Sequence, residues 1–320
     1  MLALGTISIA GLAACASKDD AGSGGSGGSG GSKTIGVVLN NLSDSNQADI
    51  LKGYQDQGAK YGWTVKSTDS QGDPAKANAA VSTFVQQRVA GIAVLVYQGS
   101  VLQSGISAAK GAGIPVILNG ANTLVDGVAA AIPVAAGKVQ AETLVKGIDG
   151  QGSVLMFTYP PGAPCVAQFD ESKRVFDANP GIKYTTHDVP APGWIVEAQK
   201  ATGAWLRTHP AGSGNLAIWG CWDGPTFGAM AALRSANRTD VKVYGNGGEP
   251  GALVAVKNGT MTASIFYDQY TGGGLAGAEL LQGAIKAGSS WSPKVQPNPS
   301  ELVDSSNIGD LCSKNPAKCK

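Results

Sequence analysis

IAVLVYQGSVLQSGISAAKGAGIPVILN (residues 92–119) and LAIWGCWDGPTFGAMAALRSANRTDVKVYGN (residues 216–246) share one layout. Each opens on an apolar run, Ile92–Tyr97 or Leu216–Trp222, and turns on small residues. Each continues with about ten residues at helical spacing (within 101–112 and Pro225–Ser235) and ends in a short strand, Pro115–Asn119 or Val241–Gly245. Continuous apolar runs of this length fit strands buried on both faces of a parallel sheet. Upstream of the first stretch, Thr34–Asn41 and Trp63–Ser70 read as strands and Ser43 to Tyr61 as a helix. A second helix starts at Asp73-Pro74, an N-cap followed by proline at the first helical position. Upstream of the second stretch, Ser153–Tyr159 and Tyr184–Val189 read as strands, and Glu171–Asn179 and Val196–Thr208 as helices. The chain therefore reads as α/β: two Rossmann-like lobes with parallel sheets flanked by helices.

Composition sets the outer limits. At 320 residues the chain has room for two domains. Lys+Arg number 24 against 23 Asp+Glu, so the net charge of +1 offers no basic face for nucleic acid or anionic lipid. No apolar run reaches the ~18–20 residues that span a bilayer. The 46 glycines fit one linker and many tight strand-to-helix turns.

The first 14 residues, MLALGTISIAGLAA, have the length of a signal-peptide apolar region but no basic flank. Leu12-Ala13-Ala14-Cys15 resembles the bacterial lipobox, in which the cysteine is lipidated. Residues 21–32, AGSGGSGGSGGS, form a flexible tether, and residues 16–32 would reach roughly 23 Å as coil. These features imply a body held by a lipid anchor on the outer face of the bacterial cytoplasmic membrane, outside the cytoplasm. Without Cys15 four cysteines remain, an even number suited to an oxidising space. Cys312 and Cys319 are close enough in sequence for a local disulfide, which leaves Cys165 and Cys221 as the second pair. No CxxC occurs, and His187 and His209 are remote from every cysteine, so no metal site is expected.

Ligands of such sheets bind beyond the carboxyl ends of the strands. The first half places Asn40, Asn41, Asp44, Asn46, Gln47, Gln98, Asn119 and Asn122 there. The second half places Tyr159, Phe169, Asp170, Trp194, Trp222, Asp223, Asn246, Glu249, Tyr267 and Asp268 there. Amides and carboxylates hydrogen-bond hydroxyl groups, and aromatic faces pack the C–H face of a sugar or polyol. Trp222 and Asp223 are expected at the centre of that site, opposite Asn119. Catalytic patterns are missing: there is no GxxxxGK[ST], no GxSxG, and no GxGxxG opening a helix after a strand. No enzyme activity and no cofactor are expected.

From Lys33 to Ile308 the chain resembles the ribose-type (type I) periplasmic sugar-binding proteins, the substrate receptors of bacterial ABC importers. The resemblance is carried by KTIGVVLNN, LKGYQDQGAKYGWTV, DSQGDPAKA, VAGIAVLV, AAKGAGIPVIL, GSVLMFTYPPG, TDVKVYGNGGEP, LVAVKNGTMTASI and LVDSSNI. It implies two lobes joined by a three-crossover hinge that close on ligand. The N-terminal lobe would hold residues 33–134 plus 268–290 and the C-terminal lobe 135–267 plus 291–310, with 311–320 as a tail. It also implies that the carboxyl ends of the strands bearing Cys165 and Cys221 are neighbours, within reach of a bridge.

Several positions depart from the family's ligand pattern. Asn46 and Gln47 stand where an aromatic pair is usual, and Asn119-Gly120 where an Asp-Arg pair is usual. The family arginine falls at or next to Asp170. Trp194 keeps an aromatic, Trp222 replaces an asparagine beside the retained Asp223, Gly247 replaces an aspartate, and Tyr267 replaces a glutamine. Fewer cations argue against ribose, glucose and galactose. They suit a polyol, an unusual sugar, or an amine packed on aromatic rings. The implied protein is a monomeric receptor handing a small polar ligand to an ABC permease. A sensor presenting its closed form to a signalling partner is the alternative.

Overall fold

The computed structural model describes residues 33–120, 129–133 and 136–320. The expected leader over 1–14, Cys15, the expected tether to residue 32, and Asn122 lie outside the described residues. In the first lobe, β1 (Thr34–Leu39), α1 (Ser45–Lys60), β2 (Thr64–Asp69), α2 (Pro74–Gln86), β3 (Gly91–Leu95), α3 (Gln103–Gly111), β4 (Val116–Asn119) and β5 (Ala129–Pro133) follow in order. The second lobe continues with α4 (Gly137–Gly147), β6 (Gly152–Thr158), α5 (Ala163–Asp177), β7 (Ile182–Asp188), α6 (Trp194–Thr208), β8 (Leu216–Gly220), α7 (Asp223–Ser235), β9 (Val241–Gly247), α8 (Pro250–Lys257) and β10 (Ala263–Tyr267). A π-helical stretch over Gln269–Leu275 leads into α9 (Ala276–Ala287). β11 (Val295–Asn298), β12 (Ser300–Asp304) and α10 (Ile308–Lys314) complete the fold.

The two sheets run β2-β1-β3-β4-β5-β11 and β7-β6-β8-β9-β10-β12, the same order twice. Every pairing is parallel except β10 with β12. Side chains alternate across a strand, and in the central strands β1, β3, β4, β6, β8 and β10 both faces are buried. Ile35, Val37, Leu39, Ala93 and Leu95 pack under α1 and α9. Their neighbours Val38, Ile92 and Val94 pack under α2 and α3. In the second lobe Leu155, Phe157 and Ile218 face α6, α7 and α8, and Val154, Met156 and Trp219 face α4 and α5. That double burial is why the central strands read as unbroken apolar runs, whereas the exposed edge strands β2 and β7 carry polar residues. The sheet order reverses beside β1 and β6, which opens a crevice at their carboxyl ends.

Three expectations need correction. First, β11 pairs with β5, so residues 295–298 belong to the first sheet and not to the second lobe. The last crossing falls between Asn298 and Ser300, the other crossings following β5 and β10. Second, residues 311–320 are no loose tail. Leu311 and Cys319 lie in the second-lobe core, and Cys312 is bridged to Cys319. Third, α5 begins at Ala163, eight residues before the expected Glu171. Pro164 sits in its first turn, where a proline loses no hydrogen bond, so the Pro-rich stretch starts the helix.

Candidate ligand-binding site

A cavity of about 100 Å³ lies between the lobes. One water needs about 10–15 Å³, so there is room for a small molecule or several waters. The first lobe lines it with Asn40, Asn41, Asp44, Asn46, Gln47, Ile50, Val96 and Asn119. The second lobe lines it with Tyr159, Pro164, Gln168, Ala191, Trp194, Trp222, Asn246, Gly247 and Tyr267. Gln269, Gly272, Gly273 and Asn298 close it on the hinge side.

Local structure holds these groups. The Asp44 carboxylate caps α1 by accepting from the Asn46 amide at 2.9 Å, which fixes Asn46 and Gln47 at the cavity edge. Gln47 Oε1 accepts from the amides of Asn40 and Asn41 at 2.8 and 3.2 Å, shaping the β1–α1 loop. Asn119 Oδ1 accepts from the Tyr54 hydroxyl at 2.7 Å, and its Nδ2 donates to the Gly273 carbonyl at 2.9 Å. Asn119 thus ties β4 to α1 and the hinge. Trp222 stands edge-to-face with both Tyr159 and Trp194, centroids 6.0 and 5.9 Å apart. The Cys165–Cys221 bridge, Cα atoms 4.9 Å apart, joins the start of α5 to the end of β8.

The lobes touch across the cleft. Asn40 Nδ2 donates to the Tyr159 hydroxyl at 3.0 Å, and Ser45 Oγ donates to Glu249 Oε2 at 2.9 Å. Gly247 has φ +131°, and a Cβ there would lie 2.7 Å from Asn46 Nδ2 of the opposite lobe. A glycine at 247 therefore serves close approach as well as backbone conformation. The charge here is all of one sign. Burial, and then the Asp44 and Asp223 carboxylates, push Glu249 well above its ordinary range. Burial also raises Asp44 and pushes Asp223 up to about 6. No lysine or arginine lines the cavity. Among the described residues no group of three or more His, Cys, Asp or Glu could hold a metal ion.

Residues 35–288 match the family model described as a periplasmic binding protein domain. The chain belongs to this family. Similar solved structures of periplasmic binding proteins include an ABC transporter solute-binding protein from Agrobacterium vitis with bound allitol. It has a TM-score of 0.79 and 23% identity, covering 88% of this chain and 99% of that one. A Bacillus halodurans solute-binding protein with bound myo-inositol gives 0.75 and 22%, covering 90% and 99%. An Actinobacillus succinogenes protein with bound D-allose gives 0.74 and 20%, covering 87% and 99%. At these identities the likeness speaks for the fold.

Within this family fold, Asn41, Asp44, Asn46, Gln47, Asn119, Trp194, Trp222, Asn246 and Tyr267 come together at the cavity as expected, with Asn40 and Tyr159. Four expected site residues do not. Gln98 spends its amide on the Pro160 carbonyl of the other lobe at 2.6 Å. Phe169 and Asp170 are turned away because they lie on a helix. Each residue rotates by about 100°, so with Gln168 at the cavity its two successors point elsewhere. Asp223 is fully buried and accepts from the Glu249 amide and the Ser264 hydroxyl at 2.9 and 2.8 Å. It braces β9 and β10 and does not line the cavity. Glu249 and Asp268 also stay outside, the latter capping the π-helical stretch through the Thr271 amide. Gln168, Gln269 and Asn298 line the cavity without having been expected there. An earlier α5 start would have put Gln168 three residues from Cys165 on one helix face. Asn298 carried no signal, because its strand inserts at the far edge of a sheet built much earlier in the chain.

Proposed function

We propose that the protein is an extracytoplasmic receptor that closes its two lobes around a neutral sugar or polyol and delivers it to an ABC permease. The observation that carries this reading is the cavity wall itself. It combines amides from both lobes with three adjoining aromatic rings and no cation. Amides serve hydroxyl groups as donors and acceptors alike, and the rings pack C–H faces. The absence of lysine and arginine from the lining disfavours sugar acids and sugar phosphates. The bound allitol, myo-inositol and D-allose of the similar structures are consistent with this class. The reading is of binding without chemistry: ligand shifts an open–closed equilibrium by touching both lobes only when they are closed. Cys15 would carry a lipid anchor and the receptor would act as a monomer.

A thermal-shift screen of neutral sugars, polyols, sugar acids and small amines tests the assignment. A ligand at 100 times its Kd adds about 2.7 kcal/mol, an easily read rise in Tm. The expected result is a rise with a neutral polyhydroxylated compound and none with its carboxylated or phosphorylated counterpart. Response only to an amine, or only to acids, would overturn the sugar reading. For the anchor, Cys15→Ser should move the protein from the membrane to the soluble fraction of cells, and unchanged partitioning would refute lipidation.

A further inference from the structure

Val96 stands at φ +75°, in the left-handed region that a β-branched residue rarely enters. Two bonds within its own lobe hold it there. The Tyr97 amide donates to the Leu95 carbonyl at 2.9 Å, and the Val96 amide donates to the Asn119 carbonyl at 2.8 Å. A bond of that short span with a positive φ at its centre is the strained form of the three-residue γ-turn. Val96 lies past Leu95, the last paired residue of β3, so its carbonyl is free of the first sheet. It accepts from the Ala163 amide of the second lobe at 2.7 Å. Two more bonds run beside it. The Gln98 amide donates to the Pro161 carbonyl at 3.2 Å, and Gln98 Nε2 donates to the Pro160 carbonyl at 2.6 Å. Tyr97 and Gly162 are bridged as an antiparallel pair. Residues 96–98 and 160–163, from opposite lobes, thus meet as a short ladder.

α5 uses this partner. Its first N–H groups have no acceptor within the helix, and its N-cap Gly162 has no side chain to supply one. The Ala163 amide finds its acceptor on the other lobe. Ala163 is also 2% exposed and belongs to the buried first-lobe cluster that holds Val94, Tyr97 and Leu102. The three chain crossings carry none of these residues, so connectivity does not impose the contact.

We propose that this ladder is a closure latch: it holds a share of ligand-free molecules closed, and ligand completes the shift. Strain such as that at Val96 persists only where the surroundings over-determine it, and it clusters at clamps and switches. Here it aims one carbonyl across the cleft. In the open form that carbonyl and the Ala163 amide turn to water, so each bond changes the closed-to-open ratio by only about 2- to 10-fold. A latch of that strength biases closure without locking it. The inference rests on the reading that the lobes open and close, not on what they close on.

Ala163→Pro removes the donor and spares the helix. Proline suits the first helical position, and Gly162, at φ −91° and ψ 113°, already has the extended backbone that a residue before proline adopts. The full chain carrying Cys15→Ser is compared ligand-free, with and without Ala163→Pro, by small-angle X-ray scattering, and a melting curve checks that each variant folds. Ala163→Pro should raise the radius of gyration, and Gln98→Ala should raise it less. Saturation with the tightest binder among allitol, myo-inositol and D-allose should bring all three proteins to one value. Ala163→Pro should weaken its Kd about 2- to 10-fold. In the ligand-free parent, the Ala163 amide should exchange with deuterium more slowly than an unprotected amide. Unprotected exchange would overturn the latch, and so would scattering that neither folded variant changes. Should Ala163→Pro fail to fold, Gln98→Ala decides by the same readouts. If none of the three probes binds, the sugar reading falls, and the ligand-free measurements still decide the latch.

Discussion

Trp222 and Asp223 are adjacent in sequence and do different work. The Trp222 ring is half-buried and lines the cavity between Tyr159 and Trp194, so its loss should fall on binding. Trp222→Ala is expected to weaken ligand binding by about 2 kcal/mol, with only a small drop in ligand-free Tm. Calorimetry and a melting curve check this, and a collapsed Tm with unchanged Kd would make the ring a core residue. Asp223 is a brace. Burial lifts its pKa to about 6, against 3.8 for an exposed aspartate. A carboxyl raised in the folded state favours folding most below the unfolded value, and that share is lost as pH rises from about 4 through about 6. Asp223→Asn can keep both bonds, accepting from the Glu249 amide and donating to Ser264 Oγ. The variant should therefore lose up to about 3 kcal/mol of pH dependence in this window. Its Kd for ligand should change little. Urea unfolding at pH 4 and pH 8 measures the first effect.

At the scale of elements, two contacts place the cavity walls. The Cys165–Cys221 bridge closes a loop of sequence separation 56 between α5 and β8. Removing such a crosslink costs about 2–5 kcal/mol. Cys165→Ser with Cys221→Ser should lower Tm and also loosen binding, because Gln168 and Trp222 stand on the two bridged elements. On the other wall α1 lies against the hinge. A Cβ on Gly53 would sit 2.6 Å from Gly274 Cα and 2.7 Å from the Tyr270 carbonyl, backbone atoms that cannot swing aside. Alanine gains helix propensity of about 1 kcal/mol over glycine, but overpacking costs about 1–3 kcal/mol. Gly53→Ala is therefore expected to be net destabilising, and a higher Tm for the variant would contradict this packing account.

At the scale of the molecule, closure brings Asp44 of one lobe near Glu249 of the other. Lys318, near the chain end, pairs with Asp49 of α1 at 2.5 Å, a salt bridge that adds to the hydrogen bonds across the lobes. A part-exposed pair of that kind contributes at most about 1 kcal/mol, so ligand contacts decide closure. The carboxylates impose a pH dependence. Glu249 is raised by burial and by its two acidic neighbours. Protonation thus favours the closed form. Its benefit is complete below the ordinary carboxylate range and is lost as pH rises through the raised value. Ligand Kd should increase with pH across that interval, by up to tenfold per unit for each proton taken up. Glu249→Gln should flatten the profile, whereas a profile unchanged by the substitution would remove Glu249 from the linkage.

The repeated strand–helix order was legible from residue pattern alone, because strands buried on both faces must be apolar throughout and carry that requirement locally. The same pattern also placed Asp44, Asn46, Trp194, Trp222 and Asn246 at strand ends, since an α/β crevice forms where such strands stop. Helix phase and chain return were decided only in three dimensions. Gln168 faces the cavity while Phe169 and Asp170 do not, because α5 begins at Ala163 and its rotation follows from that start. Asn298 reaches the site because β11 inserts beside β5, across more than 160 residues of intervening chain. Asp223 turned inward because the Glu249 amide and the Ser264 hydroxyl, brought by β9 and β10, needed a buried acceptor. Local pattern fixes which faces must be buried. Which polar group meets which partner depends on elements distant in sequence, and only the folded chain brings those together.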